Sequence, residues 1–263
     1  MPAKAPFVFL TAEWNWLAML NYEVAPEILT PFVPAGTELD VWQGKHLVSM
    51  VGFLFQKTRV AGIPIPFHHN FEEVNLRFYV RRKVDGEWRR GVVFIKELVP
   101  RFAIAWVART IYNENYVALP MSHRIEKSAD VSEGIKSVQY GWRFGGEENF
   151  LKLTTRGRPL PIGKGTEQEF ITEHYWGYAA QKDGSTVEYR VEHPRWRVWE
   201  TASAALHCNV AGLYGKHFCK SLSGQPSSAF LAEGSAVKVF KGTRLVLEEI
   251  IPPSALETKR RNR

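Results

Sequence analysis

Hydrophobic and polar residues alternate along the centre of the chain. Between Phe71 and Lys83 most even-numbered positions are apolar and most odd-numbered positions are polar. This period of two predicts a half-buried β-strand. Asp85-Gly86 follows and predicts a two-residue hairpin turn, because type I′ geometry needs positive φ at both positions. The return strand is predicted over Trp88–Val99.

Other patterns predict the elements around this hairpin. Apolar residues at helical spacing predict a helix over Arg101–Tyr112, and a run that is apolar on both faces predicts a buried central strand over His46–Arg59. Near the start, Thr11 predicts the cap of a short helical turn before a strand over Leu17–Val24. A proline at the first helical position predicts a short helix from Pro26.

The second half of the chain is predicted to be a meander of strands, with a short helix over Thr166–Glu173 capped by Thr166. The predicted strands are Tyr116–Lys127, Ser137–Phe144, Phe150–Arg156, His174–Gln181, Val187–Glu192, Arg195–Trp199, Ala236–Phe240 and Arg244–Glu248. The fold class is therefore α+β and strand-rich. We expect curled antiparallel sheets that form a partly closed barrel around a pocket, with a few short helices packed outside.

Composition fits one folded domain in the cytoplasm. The chain has 263 residues, 45% of them hydrophobic, and no low-complexity linker divides it, so we predict a single domain over residues 1–257. Four of the net +7 charges lie in the tail 258–263, which is predicted to be disordered. The small remaining charge makes nucleic acid an unexpected partner. Two cysteines form no disulfide framework, and no apolar run is long enough to span a membrane.

The candidate site lies where the central hairpin ends. With Asp85 and Gly86 as loop residues, Asn75 lies opposite Lys96, and Glu97 falls on the other, apolar face of the sheet. One β-bulge would reverse this arrangement, because the side-chain period is two. The candidate site residues are two carboxylates for acid/base chemistry, two guanidinium groups for an anion, an amide and an imidazole: Glu73, Glu97, Arg77, Arg101, Asn75 and His68. The alternative is a set of structural ion pairs at the end of the sheet.

Cofactor and metal motifs are absent from the sequence. Neither a nucleophile elbow, a phosphate loop nor a dinucleotide-binding glycine motif occurs, so no cofactor is predicted. His68 and His69 point to opposite sides if the chain is extended. His207-Cys208 and His217-Xaa-Cys219 contain ligand types suited to zinc, but no CxxC or HxxxH spacing is present. We therefore predict no metal site.

Several segments resemble the YqjF-like family, a bacterial group of unknown function (domain of unknown function 2071). They are NYEVAPEILTPFVPAGTELD, SMVGFLF, IPIPFHHNFEEVNLRFYVRR and GVVFIKELVPRFAIAWVARTIYNENY. The resemblance covers most of the chain and is strongest over residues 20–120. It extends more distantly to the acetoacetate decarboxylase superfamily, which implies a β-rich α+β fold around an apolar pocket.

The chain departs from the decarboxylase pattern at the reactive residues. Those enzymes carry Tyr-Xaa-Glu on one strand, matched here by Phe71-Glu72-Glu73 with Phe in place of Tyr, and later a Glu followed by Pro-Lys-Lys. The second pattern is matched only in Glu97 and Pro100, since Arg101 and Phe102 replace both lysines. Arginine stays protonated and cannot form the imine. Lys96 could replace the lost lysine only if it points into the pocket.

The resemblance and the residues together predict binding of a small anionic, oxo-acid or apolar metabolite. Arg101 is expected to hold the anionic group and Glu73 to accept or give a proton. The alternative is a lyase or hydrolase that acts on an oxo acid by carboxylate chemistry, and the sequence leaves open whether turnover occurs. A homo-oligomer is compatible with the sequence. A nucleic-acid-associated protein would need the basic tail and the arginine-rich strands to form one patch.

Overall fold

The computed structural model describes residues 6–64, 69–100 and 115–245, and these residues form fifteen strands and four short α-helices. The strands are β1 Val8–Glu23, β2 Glu38–Leu39, β3 Leu47–Val60, β4 Ile63–Pro64, β5 Phe71–Val84, β6 Glu87–Val99, β7 Tyr116–Ala118, β8 Met121–Lys127, β9 Ile135–Phe144, β10 Glu147–Pro161, β11 Trp176–Ala180, β12 Thr186–Glu192, β13 Arg197–His207, β14 Ser228–Phe240 and β15 Thr243–Arg244. The helices are α1 Pro26–Leu29, α2 Glu167–Thr172, α3 Val210–Leu213 and α4 Cys219–Leu222, and 3-10 turns cover Thr30–Phe32 and Lys216–Phe218.

All fifteen strands belong to one sheet. Its main path runs β15-β12-β11-β6-β5-β3-β1-β14-β13-β10-β9-β8. β12 also pairs with β14, through Val191 with Val239 and Glu192 with Lys238. The pairings from β12 through β11, β6, β5, β3 and β1 to β14 therefore return to their starting strand. The strand-rich α+β class predicted from the sequence is confirmed.

The sheet has an apolar cluster on each face, and β5 contributes to both. Val74, Leu76 and Phe78 are fully buried in one cluster. Phe71 and Tyr79 are buried in the other. The period of two predicted for this strand is therefore confirmed, and it sends the residues between the apolar ones to the second face.

The pairing of β5 with β6 changes register partway along. The predicted hairpin pairing holds from Val84 opposite Glu87 to Arg77 opposite Phe94. Beyond that point Leu76 lies opposite Lys96, so β6 contains one residue more than β5, at Ile95. The prediction that Asn75 faces Lys96 is wrong: Asn75 faces Glu97, because a bulge residue moves every later position of β6 by one.

The short helical turn predicted after Thr11 is also wrong, because β1 is a continuous strand. Its backbone pairs with β3 on one side and β14 on the other, so its ladder hydrogen bonds are made on both sides. The register with β3 shifts between Thr11 and Glu13 and again between Asn15 and Ala18, and Trp16 has φ of 55°. These irregularities break the alternation of side chains that would have identified the strand.

The smaller elements match the prediction in part. The strands predicted over Arg195–Trp199 and Ala236–Phe240 are parts of the longer strands β13 and β14. Thr166 caps α2, accepting a hydrogen bond from the Glu169 amide at 3.3 Å. The predicted strand Tyr116–Lys127 is divided into β7 and β8. The predicted helix over Arg101–Tyr112 and the tail 258–263 lie outside the described residues. None of the helices in the described parts of the chain is long and apolar enough to cross a bilayer.

Gly234 of β14 allows the backbone of β14 to pass close to Trp14 of β1. It has φ of +85°, and a Cβ there would lie 1.8 Å from the Trp14 carbonyl oxygen. Gly146 in the β9–β10 turn has nearly the same φ, +84°, but open space around it. We expect Gly146→Ala to cost about 1–2 kcal/mol, the usual penalty of a left-handed backbone. Gly234→Ala is expected to cost more than about 4 kcal/mol, because the strands must also separate.

Urea unfolding of the two variants measures this difference, since both carry the same change at the same φ. Equal losses of unfolding free energy would contradict the close approach of β14 to β1.

Candidate functional site

A cavity of about 200 Å³ lies against the second face of the sheet. Most of its lining is aromatic or aliphatic. Trp14, Phe53 and Phe55 pack edge to face or tilted, with ring centroids 5.2–5.8 Å apart, and Phe71 stacks on Phe55 at 4.6 Å. These rings come from β1, β3 and β5, whose alternate residues all point to this face. The cavity therefore has a large apolar wall.

Polar side chains also line the cavity, and several come from adjacent positions on neighbouring strands. Glu73, Asn75 and Arg77 are successive odd-numbered residues of β5, and Glu97 of β6 lies directly opposite Asn75. Glu73, Asn75 and Glu97 are at most 3% exposed. The structure thus brings together four of the residues that the sequence singled out.

Glu97 reaches the cavity because of the extra residue in β6. Without it, Glu97 would lie on the opposite face, as the simple hairpin register predicted. That prediction is wrong, because Glu97 lies opposite Asn75. The same shift turns Lys96 away from the cavity, and its ammonium group donates to the Leu213 carbonyl on the other side of the sheet. Burial lowers the pKa of Lys96. Lys96 therefore does not replace the missing imine-forming lysine in this cavity.

Two neighbours hold the Glu73 carboxyl group. The Asn75 side-chain amide donates to Oε1 at 2.9 Å, and the Tyr116 hydroxyl donates to Oε2 at 3.5 Å. Tyr116 comes from β7, which pairs in parallel with β6 beside Glu97. Both oxygens of this buried carboxyl group are therefore oriented by donors from the cavity wall.

Arg77 brings a positive charge to the same region. Its Nη2 donates to the Ile171 carbonyl at 3.5 Å, and its guanidinium carbon lies 5.9 Å from the Tyr79 ring centroid. Within the described residues it has no carboxylate within ion-pair distance, and its Nε, which is buried, has no hydrogen-bond partner. By contrast, Arg81 further along β5 pairs with Glu38 at 2.7 Å. Arg77 therefore retains capacity to bind an anion.

His174 lines the cavity and was not singled out from the sequence. Its Nε2 lies 3.3 Å from Oδ2 of Asp40, which also accepts a hydrogen bond from Arg90 Nε at 2.7 Å. The ring packs against Tyr79 and Phe170. Burial lowers the pKa of His174 to about 4, against the opposing effect of its hydrogen bond to Asp40. The imidazole is therefore neutral at pH 7.

Asp40 remains ionised beside this histidine. Burial alone would raise the pKa of Asp40, but the hydrogen bonds from His174 and Arg90 bring that pKa below its ordinary value. Asp40 and His174 are 134 positions apart in sequence, and no local motif links them. The contact therefore depends on the three-dimensional fold and could not be identified from the sequence.

Two predicted site residues, His68 and Arg101, lie outside the described residues. His193 is a second histidine in the cavity wall: it stacks on Trp196 at 4.1 Å, and burial lowers its pKa. Within the described parts of the chain, no group of three or more His, Cys, Asp or Glu side chains is placed to hold a metal ion.

The low pKa of His174 makes stability depend on pH. Its pKa is about 4 in the folded protein and about 6.5 in an unfolded chain, so between these values only the unfolded chain takes up the proton. As pH falls from about 6.5 to 4, His174 therefore lowers the free energy of unfolding by roughly 3 kcal/mol in total. Urea unfolding of wild type and His174→Phe over pH 4–7 should give a shallower pH dependence for the variant. Parallel stability curves would contradict the assignment.

Comparison with known proteins gives relatives over most of the chain. Residues 11–236 match the model of the DUF2071 family, described as "Uncharacterized conserved protein". The chain is 26% identical over 198 residues to the uncharacterized protein YqjF of Bacillus subtilis (strain 168), covering 75% of this chain and 77% of that protein.

Solved structures resemble the fold. The enduracididine biosynthesis enzyme MppR, complexed with pyruvate, matches with a TM-score of 0.63 and 12% identity over 93% of this chain and 92% of that one. Acetoacetate decarboxylase from Legionella pneumophila matches with a TM-score of 0.59 and 15% identity over 94% and 92%. These likenesses establish an acetoacetate decarboxylase-like fold. Because the family model matches residues 11–236, most of the chain, this protein belongs to the DUF2071 family of uncharacterized proteins.

Proposed function

We propose that this protein binds a small metabolite with an apolar body and an anionic or oxo-acid end, without forming an imine to it. The ligand occupies the cavity beside β1, β3, β5 and β6. In this proposal the ring of paired strands forms a partly closed barrel around that cavity. The ring consists of β12, β11, β6, β5, β3, β1 and β14. In this proposal residues 1–257 are one domain, and the basic segment 258–263 is a tail outside it.

Arg77 is the observation that carries the proposal. A guanidinium group at least partly removed from water, with no carboxylate at ion-pair distance among the described residues, favours an anionic partner. Its fork of donors matches a carboxylate better than a single ammonium would. Arg101, the residue that follows Pro100, is proposed as a second contact to the anion.

The apolar wall supports the second half of the proposal. A cavity of about 200 Å³ is somewhat larger than the cavity of about 150 Å³ that holds benzene, so a ligand somewhat larger than benzene fits. The rings of Trp14, Phe53, Phe55 and Phe71 offer edges and faces to a ring or a branched chain. A small aromatic or branched-chain acid suits both ends of the cavity.

The positions of the lysines support non-covalent binding. No lysine is among the described residues that line the cavity, and Lys96 donates to Leu213 on the other face. The names of the structural neighbours support an oxo acid as the ligand class, since one is complexed with pyruvate and another is an acetoacetate decarboxylase. This second support is an analogy of fold.

Arg77→Met tests the anion site and keeps the apolar stem of the side chain. We expect wild type to be stabilised by phenylglyoxylate in a thermal-shift assay, and calorimetry to give at least about tenfold weaker binding to Arg77→Met, since a charged hydrogen bond is lost. Arg81→Met is the matched control, because Arg81 lies on the same strand but pairs with Glu38. Unchanged affinity in Arg77→Met, or an equal loss in both variants, would contradict the proposal.

The alternative function is a lyase or hydrolase that acts on an oxo acid, and the geometry of Glu73 is the observation in its favour. Glu73 is a buried carboxyl group held at both oxygens, and Glu97 lies on the neighbouring strand, opposite Asn75. Such a group can exchange a proton with a bound ligand. Proton NMR of wild type with a panel of oxo acids should then show consumption of one of them, reduced at least about a hundredfold by Glu73→Gln. If none of the oxo acids is consumed, this alternative is excluded and the binding function is left.

A further inference from the structure

The hydrogen bonds around Asp40 fix which nitrogen of His174 carries the proton. Oδ1 of Asp40 accepts from the Val41 amide at 3.0 Å, and Oδ2 accepts from Arg90 Nε at 2.7 Å. Both oxygens of this ionised carboxylate are therefore acceptors. The His174 nitrogen that faces Oδ2, Nε2, must then be the one that bears hydrogen.

Nδ1 of His174 is consequently a hydrogen-bond acceptor. It is buried and has no hydrogen-bond partner among the described residues, and His174 is one of the residues that line the cavity. Buried acceptors in folded proteins are normally satisfied, so an acceptor left over beside a cavity points to a ligand that supplies the donor. The ring cannot turn freely to change this, because Tyr79 and Phe170 pack against it.

The charges around His174 keep it in the acceptor form. Asp40 favours the imidazolium, whereas burial and the positive charges of Arg90 and Arg77 oppose it, and the net effect lowers the pKa of His174 to about 4. Arg77 is thus close enough to influence the ring. The cavity offers a guanidinium group for an anion and, near it, a neutral lone pair for a donor.

We infer that His174 Nδ1 accepts a hydrogen bond from the bound ligand, so that the cavity prefers a 2-hydroxy acid over the 2-oxo acid of the same skeleton. This rests on the proposed function, since Arg77 must hold the carboxylate. A hydroxyl group can donate to Nδ1, whereas a ketone oxygen presents only lone pairs to it. A site built around a buried acceptor binds an analogue that lacks the donor more weakly, because the acceptor is then left unpaired.

Mandelate, phenylglyoxylate and phenylacetate test the inference. They share the ring and the carboxylate and differ only in bearing a hydroxyl, a ketone or neither. Calorimetry with wild type is expected to give at least about tenfold tighter binding of mandelate than of phenylglyoxylate or phenylacetate, corresponding to about 1.4 kcal/mol. In His174→Phe, which keeps the ring packing, the three acids should bind within about twofold of one another.

Thr58→Val is the matched control. Thr58 is buried, lines the same cavity and has a hydroxyl without a hydrogen-bond partner among the described residues. Its replacement by valine removes polarity at similar volume, so the preference for mandelate should survive. If Thr58→Val abolishes the preference, or His174→Phe retains it, the assignment to His174 is overturned.

The remaining outcomes separate this inference from the proposed function. Equal wild-type affinity for mandelate and phenylglyoxylate overturns the inference and leaves the anion site intact. If none of the three acids binds to wild type, both are overturned.

Nitrogen-15 NMR of the wild-type imidazole is independent of how the variants fold. It should give an Nε2–H tautomer at pH 7, with the Nδ1 resonance moved by mandelate and not by phenylacetate. An Nδ1–H tautomer, or an Nδ1 resonance that mandelate leaves in place, contradicts the inference.

Discussion

The extra residue in β6 at Ile95 determines which side chains of that strand face the cavity. Side chains alternate along a strand, so one additional residue reverses the direction of every later position. Phe94 lines the cavity before the bulge, and Glu97 lines it after the bulge. Lys96, which would otherwise share the cavity face with Asn75, is carried to the opposite side. The chemical character of the cavity thus depends on a single backbone irregularity.

The polar groups of the cavity wall belong to two hydrogen-bonded sets. Glu73 is held by Asn75 and Tyr116, and His174 is held by Asp40 and Arg90. Arg77 lies on the same strand face as the first set and influences the charge of the second. Because the rest of the wall is largely aromatic, these groups define where the polar part of a ligand would bind, and the rings define where its apolar part would lie.

The local sequence pattern was sufficient to predict elements whose signal lies within a few neighbouring residues. The strand β5, the turn at Asp85-Gly86 and the capped helix after Thr166 were all predicted, because each has its signal within a few residues. The same strand pattern placed Glu73, Asn75 and Arg77 on one face. The resemblance to the YqjF-like family supplied the superfamily fold, which the strand count alone could not distinguish from other strand-rich folds.

The features that could not be predicted from the sequence depend on contacts between distant segments of the chain. The bulge at Ile95 carries no glycine or other local signal, and β1 was divided because its irregular register hides the alternation around Trp16. The contact of His174 with Asp40 depends on where their segments lie in the folded sheet, which neither residue reveals by itself. The roles predicted for Arg101 and His68 remain predictions.

Because the shifted register of β6 carries Lys96 to the other face of the sheet, we expect a ligand in the cavity to form no covalent bond to it. Reduction with borohydride in the presence of pyruvate, followed by peptide mass spectrometry, tests it directly, because an imine to lysine would be trapped as a stable amine. We expect Lys96 to remain unmodified. A pyruvate-dependent adduct on Lys96 would contradict it.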